Sequence, residues 1–459
     1  MSLPTQSSIM HLEEIVGGAH VLTGTPELNL RQADGKLPSA IVQPADVAQV
    51  AAIMRCAAME KLAVIPCGGC TKLGIGSPPA RYDIALDLSR LNRVLAYDPR
   101  DLTLGVEPGA RIEDLLRTLA EQNQFLPLAV PFADRATVGG VVAANSSSPL
   151  RHFYGGVRDF CLGAEFVTGE GVISKGGGRV VKNVTGYDLH KLLIGSLGTL
   201  AVITRVNFRT FPLPPAQGTF VASFSDAAAA FGFCRSVAQS VLTPQIVEVA
   251  DPFAAHVVFS GGAPARIAPQ QWSVIITAAG LPAVVDRYAR ELGHIAGAAN
   301  AAELLPLSEV EQSSILARVR EFPRLVLESA PSAAIFRIGV LPAAISRVIA
   351  KLSDIAKQRS LAFATLTRAS GIMCAALFAE EGMETRASEV AGACKEIFQM
   401  CAQTEGSVQA MLEFCPSEIK RALGDVWGPA RQDFPLMRRV KHVFDPQNVL
   451  SPGRFAGGI

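Results

Sequence analysis

Hydrophobic residues recur at three- and four-residue steps in residues 44–61, where Val47, Val50, Met54 and Ala58 fall on one side of a helical wheel. This spacing predicts an amphipathic helix with one buried face. Short apolar runs that alternate or end in turn residues predict strands further along. The remaining elements predicted in this half of the chain are strands at residues 62–66, 84–91 and 102–109 and a helix at residues 111–122. Residues 1–36 carry little periodic signal, and we expect a helical lead-in there.

The pattern changes after residues 212–215, Pro-Leu-Pro-Pro, which no strand can continue through. Beyond this boundary strands alternate with helices, which predicts an α+β layer with an antiparallel sheet. Residues 300–333 are expected to form an inserted helical section. The other predicted elements are strands at residues 219–224, 273–279, 334–340, 361–366 and 372–378, and helices that end near residue 241 or span residues 283–296 and 342–357.

Composition restricts the class of protein. With 459 residues, 49% of them hydrophobic and 18% charged, the chain has material for two or three folded domains. The net charge of +1, without a basic block, gives no reason to expect a nucleic-acid partner. The start resembles no signal peptide, and no apolar run reaches membrane-spanning length. Nine scattered cysteines favour reduced thiols, so we expect a cytoplasmic protein whose membrane association, if any, comes through partners.

Glycine pairs concentrate in residues 137–211 between short β-rich segments. Glycine weakens a strand and often marks close approach of the backbone to another group. The pairs at residues 139–140 and 155–156, the triplet at 176–178 and the spaced glycines at 195 and 198 therefore predict turns that press backbone amides against a large ligand.

A second glycine-rich turn follows the predicted strand at residues 62–66. Its sequence is Cys67-Gly68-Gly69-Cys70-Thr71-Lys72, which places two glycines, a hydroxyl and an ammonium in one loop. Converging amides and a lysine suit a diphosphate, although neither the GxxxxGK[ST] nor the GxGxxG pattern is present. The alternative is a glycine turn without a ligand.

The runs TVGG (137–140), YGGVRD (154–159), KNVTGYDL (182–189) and GSLGTLAVIT (195–204) occur in an order that resembles the flavin domain of the vanillyl-alcohol oxidase/p-cresol methylhydroxylase superfamily. More narrowly, KNVTGYDL resembles the FAD-binding, smaller flavoprotein subunits of bacterial glycolate oxidases. The ending, DPQNVLSPGR (445–454), is similar to the superfamily's closing segment. The resemblance implies an α+β fold: a two-part FAD-binding domain of the p-cresol methylhydroxylase type with a ferredoxin-like α+β cap. The implied domains are residues 1–214 (core 38–214), a cap at 215–429, and a segment at 430–459 that returns to the flavin domain.

The resemblance also implies which residues bind FAD. The loop matches the superfamily's pyrophosphate loop, PxGGGT, and Thr137 is expected to cap a helix whose first turn meets the same anion. The implied FAD-binding residues are Pro66, Cys67, Gly68, Gly69, Cys70, Thr71, Lys72, Thr137, Gly139, Gly140, Asn145, Ser146 and Ile203.

Arg337 is the candidate for substrate binding. It lies within an apolar predicted strand, where an inward-facing charge needs a carboxylate partner. A planar guanidinium matches the two oxygens of a 2-hydroxy acid's carboxylate. Alternation along the strand leaves a solvent-facing position open. The resemblance places an arginine on the matching cap strand of the smaller subunit.

Two other groups leave alternatives open. The larger subunit's relatives carry an HxGDGNxH stretch that resembles a metal site, and this sequence has none, so no metal ligands are predicted. His152 and His442 could approach the flavin or serve as structural residues. Cys70 stands where relatives with covalently bound flavin carry a histidine, so it could form a link to the flavin or fill the loop.

The sequence therefore predicts an FAD-dependent oxidoreductase acting on CH–OH groups. The resemblance implies oxidation of a small 2-hydroxy acid, of glycolate or D-lactate type, within a hetero-oligomer containing a second flavoprotein subunit and an iron–sulfur subunit that takes the electrons. The alternatives are a flavin-binding electron-transfer or structural subunit without its own substrate chemistry, and a flavin enzyme acting on a sugar alcohol.

Overall fold

The computed structural model describes residues 6–179, 186–260, 271–379, 387–404, 408–429 and 432–459. The chain divides into two units. Unit 1 contains residues Met1–Ser146, Gly156–Pro212 and Ala430–Ile459. Unit 2 contains residues Ser147–Gly155 and Leu213–Pro429. Residues 182–185 of the KNVTGYDL run lie outside the described residues.

The described residues of unit 1 form three sheets, whose strands the sequence partly predicts. A four-stranded sheet has the order β1-β2-β4-β3, with β2, β4 and β3 parallel. A five-stranded antiparallel sheet has the order β5-β6-β10-β8-β9, and β11 pairs with β7. The strands are β1 Val21–Leu22, β2 Ala40–Val42, β3 Val64–Cys67, β4 Ile84–Asp87, β5 Val94–Asp98, β6 Thr103–Val106, β7 Gln124–Phe125, β8 Cys161–Thr168, β9 Ile173–Gly177, β10 Ala201–Arg209 and β11 Phe211–Pro212.

The helices of unit 1 cover these sheets. The lead-in forms α1, and the predicted amphipathic helix forms α3, which begins where the Asp46 side chain accepts a hydrogen bond from the Gln49 amide. Residues 50, 51, 53, 54, 56 and 57 of α3 are buried, a wider face than the sequence predicts. The helices are α1 Gln6–Val16, α2 Thr25–Asn29, α3 Val47–Glu60, α4 Ile112–Ala120, α5 Val138–Ala143, α7 Val157–Phe160, α8 His190–Leu193 and α16 Phe434–Phe444; α6, in unit 2, is Arg151–Tyr154.

Unit 2 is built on one eight-stranded antiparallel sheet in the order β15-β12-β14-β13-β17-β18-β16-β19. Its strands are β12 Ala216–Phe224, β13 Ile246–Ala250, β14 Trp272–Gly280, β15 Glu303–Pro306, β16 Ala334–Gly339, β17 Ala362–Arg368, β18 Ile372–Phe378 and β19 Gln409–Phe414. Its other helices are α9 Ala227–Gln239, α10 Pro252–Phe259, α11 Pro282–Ala298, α12 Glu309–Ser329, α13 Ile345–Gln358, α14 Ala387–Gln403 and α15 Ser417–Leu423.

The sheet of unit 2 contains two repeats of the same motif. β12, α9, β13, β14, α11 and β15 form one βαββαβ unit, with α10 inserted, and β16, α13, β17, β18, α14 and β19 form another. Each repeat has the ferredoxin-like strand order, and antiparallel pairing of β13 with β17 joins them edge to edge. The predicted α+β layer is confirmed. The helical section expected within residues 300–333 contains α12, and it is preceded by a strand that was not expected, β15, which pairs with β12.

Hydrophobic cores cover both faces of this sheet. Phe336 and Ile338 of β16 pack with α13 and α14 on one face, whereas Ile335 packs with α10 and α12 on the other. Among the helices of the described residues, none combines the length and apolarity needed to cross a membrane.

Candidate functional site

The loop that follows β3 is held against unit 1's backbone by its two glycines. A Cβ added to Gly69 would collide with the carbonyl oxygen of Arg135, and one on Gly68 would collide with the Thr137 side chain. Only glycine fits either position without a shift of the loop. The strand, the turn and the segment at residues 135–137 therefore form one tightly packed wall.

This wall belongs to an open cleft with about 760 Å³ of empty space, its solvent-facing mouth included. α5 and the start of β10 also contribute to its lining. The cleft is lined by the run Pro66–Leu73 and by Leu88, Pro108, Thr137, Gly139, Gly140, Ala143, Ala144, Leu197, Gly198, Ala201, Ile203 and Arg454.

Thr137 stands at the start of α5, but the prediction that its side chain caps the helix is wrong. Its side chain makes no capping hydrogen bond. The hydroxyl instead packs against the Cα of Gly68, and a Cβ on Gly140 would lie 3.3 Å from the same oxygen. Thr137 therefore sets the spacing between the glycine loop and α5.

Cys70 adopts a backbone conformation that favours glycine, with φ of 56°. Its thiol lies beside the buried Cys67. A hydrogen bond between the two thiols lowers the pKa of Cys70 and raises that of Cys67. The guanidiniums of Arg31 and Arg135 lower the pKa of Cys70 further, although burial opposes them. Cys70 is thus the more readily ionised thiol of the pair.

The closing segment of the chain completes the cleft. The buried Arg454 donates a hydrogen bond of 2.7 Å to the carbonyl oxygen of Ile75, just beyond the glycine loop. Within the described residues, the buried Oγ of Ser451 makes no hydrogen bond, and it lies 3.6 Å from where a Cβ of Gly198 would stand. A buried hydroxyl that the protein leaves unsatisfied beside a glycine-lined cleft fits a polar ligand there.

Most of the predicted FAD-binding residues meet in this cleft. The loop residues 66–72, Thr137, Gly139, Gly140 and Ile203 line it. Asn145 and Ser146 follow α5 and are not part of the lining, although the Ser146 hydroxyl is buried and makes no hydrogen bond within the described residues. Gly198, one of the spaced glycines that the sequence singles out, also lines the cleft. Sequence reasoning did not select Ser451 or Arg454, although the SPGR run that contains them is visible in the sequence.

In unit 2, the partner of Arg337 lies within the protein. Its Nη1 is 3.3 Å from Oε1 of Glu413 on the neighbouring strand β19, and its side chain is only 17% exposed. The solvent-facing alternative is therefore wrong, and the carboxylate that the buried charge requires is Glu413.

A second arginine, Arg368, which sequence reasoning missed, lies on the same face of the sheet. Arg368 shares a face of β17 with Ala364, and Arg337 shares a face of β16 with Ile335. Ala364 and Ile335 pack in one core, so both arginines are on that side of the sheet. The Nε of Arg368 donates a 2.7 Å hydrogen bond to Glu248, and its Nη1 donates a 2.8 Å bond to Oγ of Ser147. Burial raises the pKa of Glu248, and the charge of Arg368 opposes that rise. A charge at the end of an apolar strand was the available sequence signal.

His152 lies close to this cluster. Burial lowers its pKa, and the charge of Arg368 lowers it further, so the imidazole is neutral at physiological pH. Its Nδ1 is buried and makes no hydrogen bond within the described part of the chain. Tyr154, two residues on, accepts a 2.7 Å hydrogen bond from Gln245 of unit 2. These contacts hold the segment at residues 147–155 against β13 and β17.

The fold and the cleft define a class of protein. Over 98% of both chains, the structure matches p-cresol methylhydroxylase with substrate bound, with a TM-score of 0.77 at 16% identity. This likeness establishes the fold, that of the p-cresol methylhydroxylase-type flavoproteins.

Comparison with protein families gives the more specific assignment. The model of the FAD binding domain matches residues 38–177, and the model of the FAD linked oxidases' C-terminal domain matches residues 213–411 and 419–455. The chain belongs to the FAD-linked oxidases, and it is an FAD-dependent oxidoreductase. The prediction of FAD is confirmed.

Individual relatives share between about a quarter and a third of their residues with this chain over the matched regions. Glycolate oxidase subunit GlcD of Bacillus subtilis is 24% identical over 434 residues, which cover 91% of this chain and 89% of that protein. D-2-hydroxyglutarate dehydrogenase of Xanthomonas citri is 28% identical over 439 residues, with the same coverage. Glycolate oxidase subunit GlcE of Escherichia coli is 35% identical over 159 residues, 34% of this chain and 45% of that protein.

Proposed function

We propose that this chain oxidises a small 2-hydroxy acid, of glycolate or D-lactate type, at its CH–OH group, using FAD held in the cleft of unit 1. The observation that carries the proposal is the match along nine-tenths of the chain to a glycolate oxidase subunit and to a D-2-hydroxyglutarate dehydrogenase. The substrates named for these two enzymes differ, but each has a hydroxyl on the carbon next to a carboxylate.

The cofactor's contacts are proposed from the cleft. The amides of Gly68 and Gly69, with Thr71 and Lys72, hold the diphosphate, because converging amides and an ammonium favour an anion. Gly139, Gly140 and Ile203 bound the cofactor as well, and Ser451 supplies a hydroxyl. Asn145 and Ser146, which follow α5, contribute polar contacts to the cofactor. Cys70 occupies the loop without a covalent link.

The substrate's contacts are proposed in unit 2. Arg337 and Arg368 share one face of the sheet, and either guanidinium can bind a carboxylate through two parallel hydrogen bonds. His152 is neutral and its Nδ1 has an open acceptor position, which suits the proton of the substrate's hydroxyl. FAD, when bound, would supply the oxidant, which accepts a hydride from the substrate's hydroxyl-bearing carbon.

Partners follow from the relatives rather than from the structure. Matches to both GlcD and GlcE support a place in a multi-subunit glycolate oxidase-like complex. We propose that an iron–sulfur subunit takes the electrons, with a second flavoprotein subunit beside this one.

One observation favours a second function. Arg337 and Arg368 are each paired with a carboxylate of the chain itself, Glu413 and Glu248, so neither guanidinium carries an uncompensated charge. A flavin-binding electron-transfer or structural subunit without its own substrate chemistry would show the same pairing.

The test uses FAD-loaded protein with an artificial dye as electron acceptor. Glycolate, D-lactate, L-lactate, D-2-hydroxyglutarate and a sugar alcohol are compared by kcat/KM. Arg368→Met and Arg337→Met are measured beside Arg347→Met, an exposed arginine of α13. Loss of a charged hydrogen-bond pair costs about 1.5–3 kcal/mol, so kcat/KM for the best acid should fall about 10–100-fold in at least one of the first two variants.

Folding is controlled separately, because Arg368→Met leaves Glu248 buried without its partner. The double variant Glu248→Gln/Arg368→Met removes both charges and should recover most of the lost stability. Turnover of the sugar alcohol alone contradicts the proposal. No turnover of any of these substrates by stable, FAD-loaded protein also contradicts it, and favours the second function.

A further inference from the structure

Three different metal-binding side chains meet where α1 packs against α3, away from the residues that line the FAD cleft. Cys56 and Glu60 are four residues apart on α3 and so share one face of that helix. His11 reaches them from α1. Its Nδ1 lies 2.8 Å from Oε1 of Glu60, and Sγ of Cys56 lies 3.6 Å from the same oxygen.

The donor set suits one kind of ion. Imidazole nitrogen, thiolate sulfur and carboxylate oxygen are the three ligand types that Zn²⁺ accepts. Zinc holds nitrogen at about 2.0–2.1 Å and sulfur at about 2.3 Å, so its tetrahedral ligands stand about 3.3–3.7 Å apart. The three donor atoms here all lie within 4.8 Å of one another. Side-chain movements on the order of an ångström would bring them to that geometry.

Charge at the cluster also favours a cation. Glu60 is the last residue of α3, and the carboxyl end of a helix carries partial negative charge. The Glu60 carboxylate also accepts hydrogen bonds from His11 and Cys56, so it is the group that brings the other two donors together.

The thiol must lose a proton to become a ligand. A metal ion that binds here therefore displaces the proton of the Cys56 thiol, and its affinity rises with pH.

The cluster has one open side. The His11 side chain is 53% exposed and the Glu60 side chain 25% exposed, whereas Cys56 is only 5% exposed. Three protein ligands with access to solvent leave the fourth tetrahedral position for a water molecule.

We propose that His11, Cys56 and Glu60 form a binding site for a divalent metal ion of zinc-like ligand preference, which fastens α1 to α3. The site is independent of the flavin chemistry, because none of its three ligands lines the cleft.

The experiment uses untagged, FAD-loaded protein titrated with zinc chloride in a calorimeter. We expect one zinc ion per chain. His11→Gln and Cys56→Ser should each weaken binding at least about tenfold. Cys401→Ser is the matched control, since Cys401 is also 5% exposed and burial raises its pKa to about 11. His20→Gln is the control for the imidazole. Neither control should change the dissociation constant.

Two further readouts identify the ligands. The zinc-edge X-ray absorption spectrum should contain one sulfur neighbour at about 2.3 Å, which Cys56→Ser removes. Between pH 7 and 8 the dissociation constant should fall about tenfold, because one proton leaves the thiol.

Three results would overturn the site. One is the absence of stoichiometric zinc binding at micromolar concentration. Another is equal affinity in wild type and His11→Gln, an exposed substitution that leaves the buried packing intact. The third is a zinc spectrum with nitrogen and oxygen neighbours only.

Discussion

The ammonium of Lys441 donates a 2.8 Å hydrogen bond to the carbonyl oxygen of Thr199, 242 residues away in the chain. It also lies 2.6 Å from Asp445 and donates a 2.9 Å hydrogen bond to the carbonyl oxygen of Leu450. Asp445 in turn accepts hydrogen bonds from the amides of Val449 and Leu450. A single buried charge therefore joins α16 and the closing segment to the GSLGTL run beside the FAD cleft.

We expect Lys441→Met to lower the free energy of unfolding of the protein by about 3–5 kcal/mol, since it leaves the buried Asp445 carboxylate without its partner. Urea unfolding monitored by circular dichroism measures this change. FAD should also bind more weakly, because the closing segment supplies Arg454 to the cleft and places Ser451 beside Gly198. The control is Arg439→Met, an exposed position on the same helix, which should change stability by less than about 0.5 kcal/mol. Equal effects of the two variants would contradict the structural role of the pair.

Gly69→Ala should weaken FAD binding, because a Cβ at this position collides with the backbone carbonyl of Arg135. Displacement of a packed loop costs about 1–3 kcal/mol, which corresponds to about a 10–100-fold rise in the dissociation constant. Flavin fluorescence during reconstitution of the apoprotein measures it. Gly74→Ala, where a Cβ would meet nothing within 4 Å, should bind FAD as the wild type does. Unchanged affinity in Gly69→Ala would mean that the loop does not hold the cofactor.

Cys70→Gly should retain FAD and gain up to about 1 kcal/mol in unfolding free energy. The gain comes from relief of a left-handed conformation, which costs a residue with a side chain about 1–2 kcal/mol, less the extra chain entropy of glycine. Acid precipitation of the wild type should release its flavin into the supernatant. Flavin that stays with the precipitated wild type, but not with Cys70→Gly, would show a covalent link.

The stability of unit 2 should depend on pH through Asp251. Burial raises the pKa of Asp251 to about 7, although its side chain caps α10 by accepting a 2.7 Å hydrogen bond from the Ala254 amide. An unfolded aspartate titrates near about 3.9. The folded state thus binds the proton more tightly, and the stability from this group falls as pH rises from about 4 through 7.

Asp251→Asn keeps an acceptor for the Ala254 amide but does not titrate. We expect its unfolding free energy to exceed that of the wild type by an amount that grows, by up to about 1.4 kcal/mol per pH unit, between pH 5 and 7. Asp226 caps α9 in the same way but is exposed, and hydrogen bonds from the Ala229 amide and from Ser225 lower its pKa. Asp226→Asn should therefore destabilise the protein more above pH 4 than below it. A pH-independent difference for Asp251→Asn would contradict this account.

Local patterns in the sequence predicted the elements that local forces determine. The helix predicted in residues 44–61 is α3, because its apolar spacing and the Asp46 cap are both local features. The loop at Pro66–Lys72 was found because a strand, two glycines and a lysine are contiguous. Thr137 lines the cleft, but its side chain does not cap α5 as expected, since its hydroxyl lies against the distant Gly68.

Long-range pairing could not be predicted in the same way. β13 and β19 were missed because each is short, is interrupted by a glutamate, and gains its partners only from the register of the sheet. The two ferredoxin-like repeats are joined by the pairing of β13 with β17, and the sequence of neither strand predicts this pairing. The Arg368–Glu248 pair spans 120 residues, and only the folded sheet brings its charges together.

The most direct test of the central claim is anaerobic reduction of the bound flavin by substrate alone. Purified, FAD-loaded protein is mixed with glycolate, D-lactate or D-2-hydroxyglutarate, and the flavin absorbance is followed without any added acceptor. Oxidation of a 2-hydroxy acid by this chain predicts that at least one of these acids bleaches the flavin bands. Flavin that stays oxidised with every acid, yet is bleached by dithionite, would contradict the claim and assign this chain the electron-transfer or structural role.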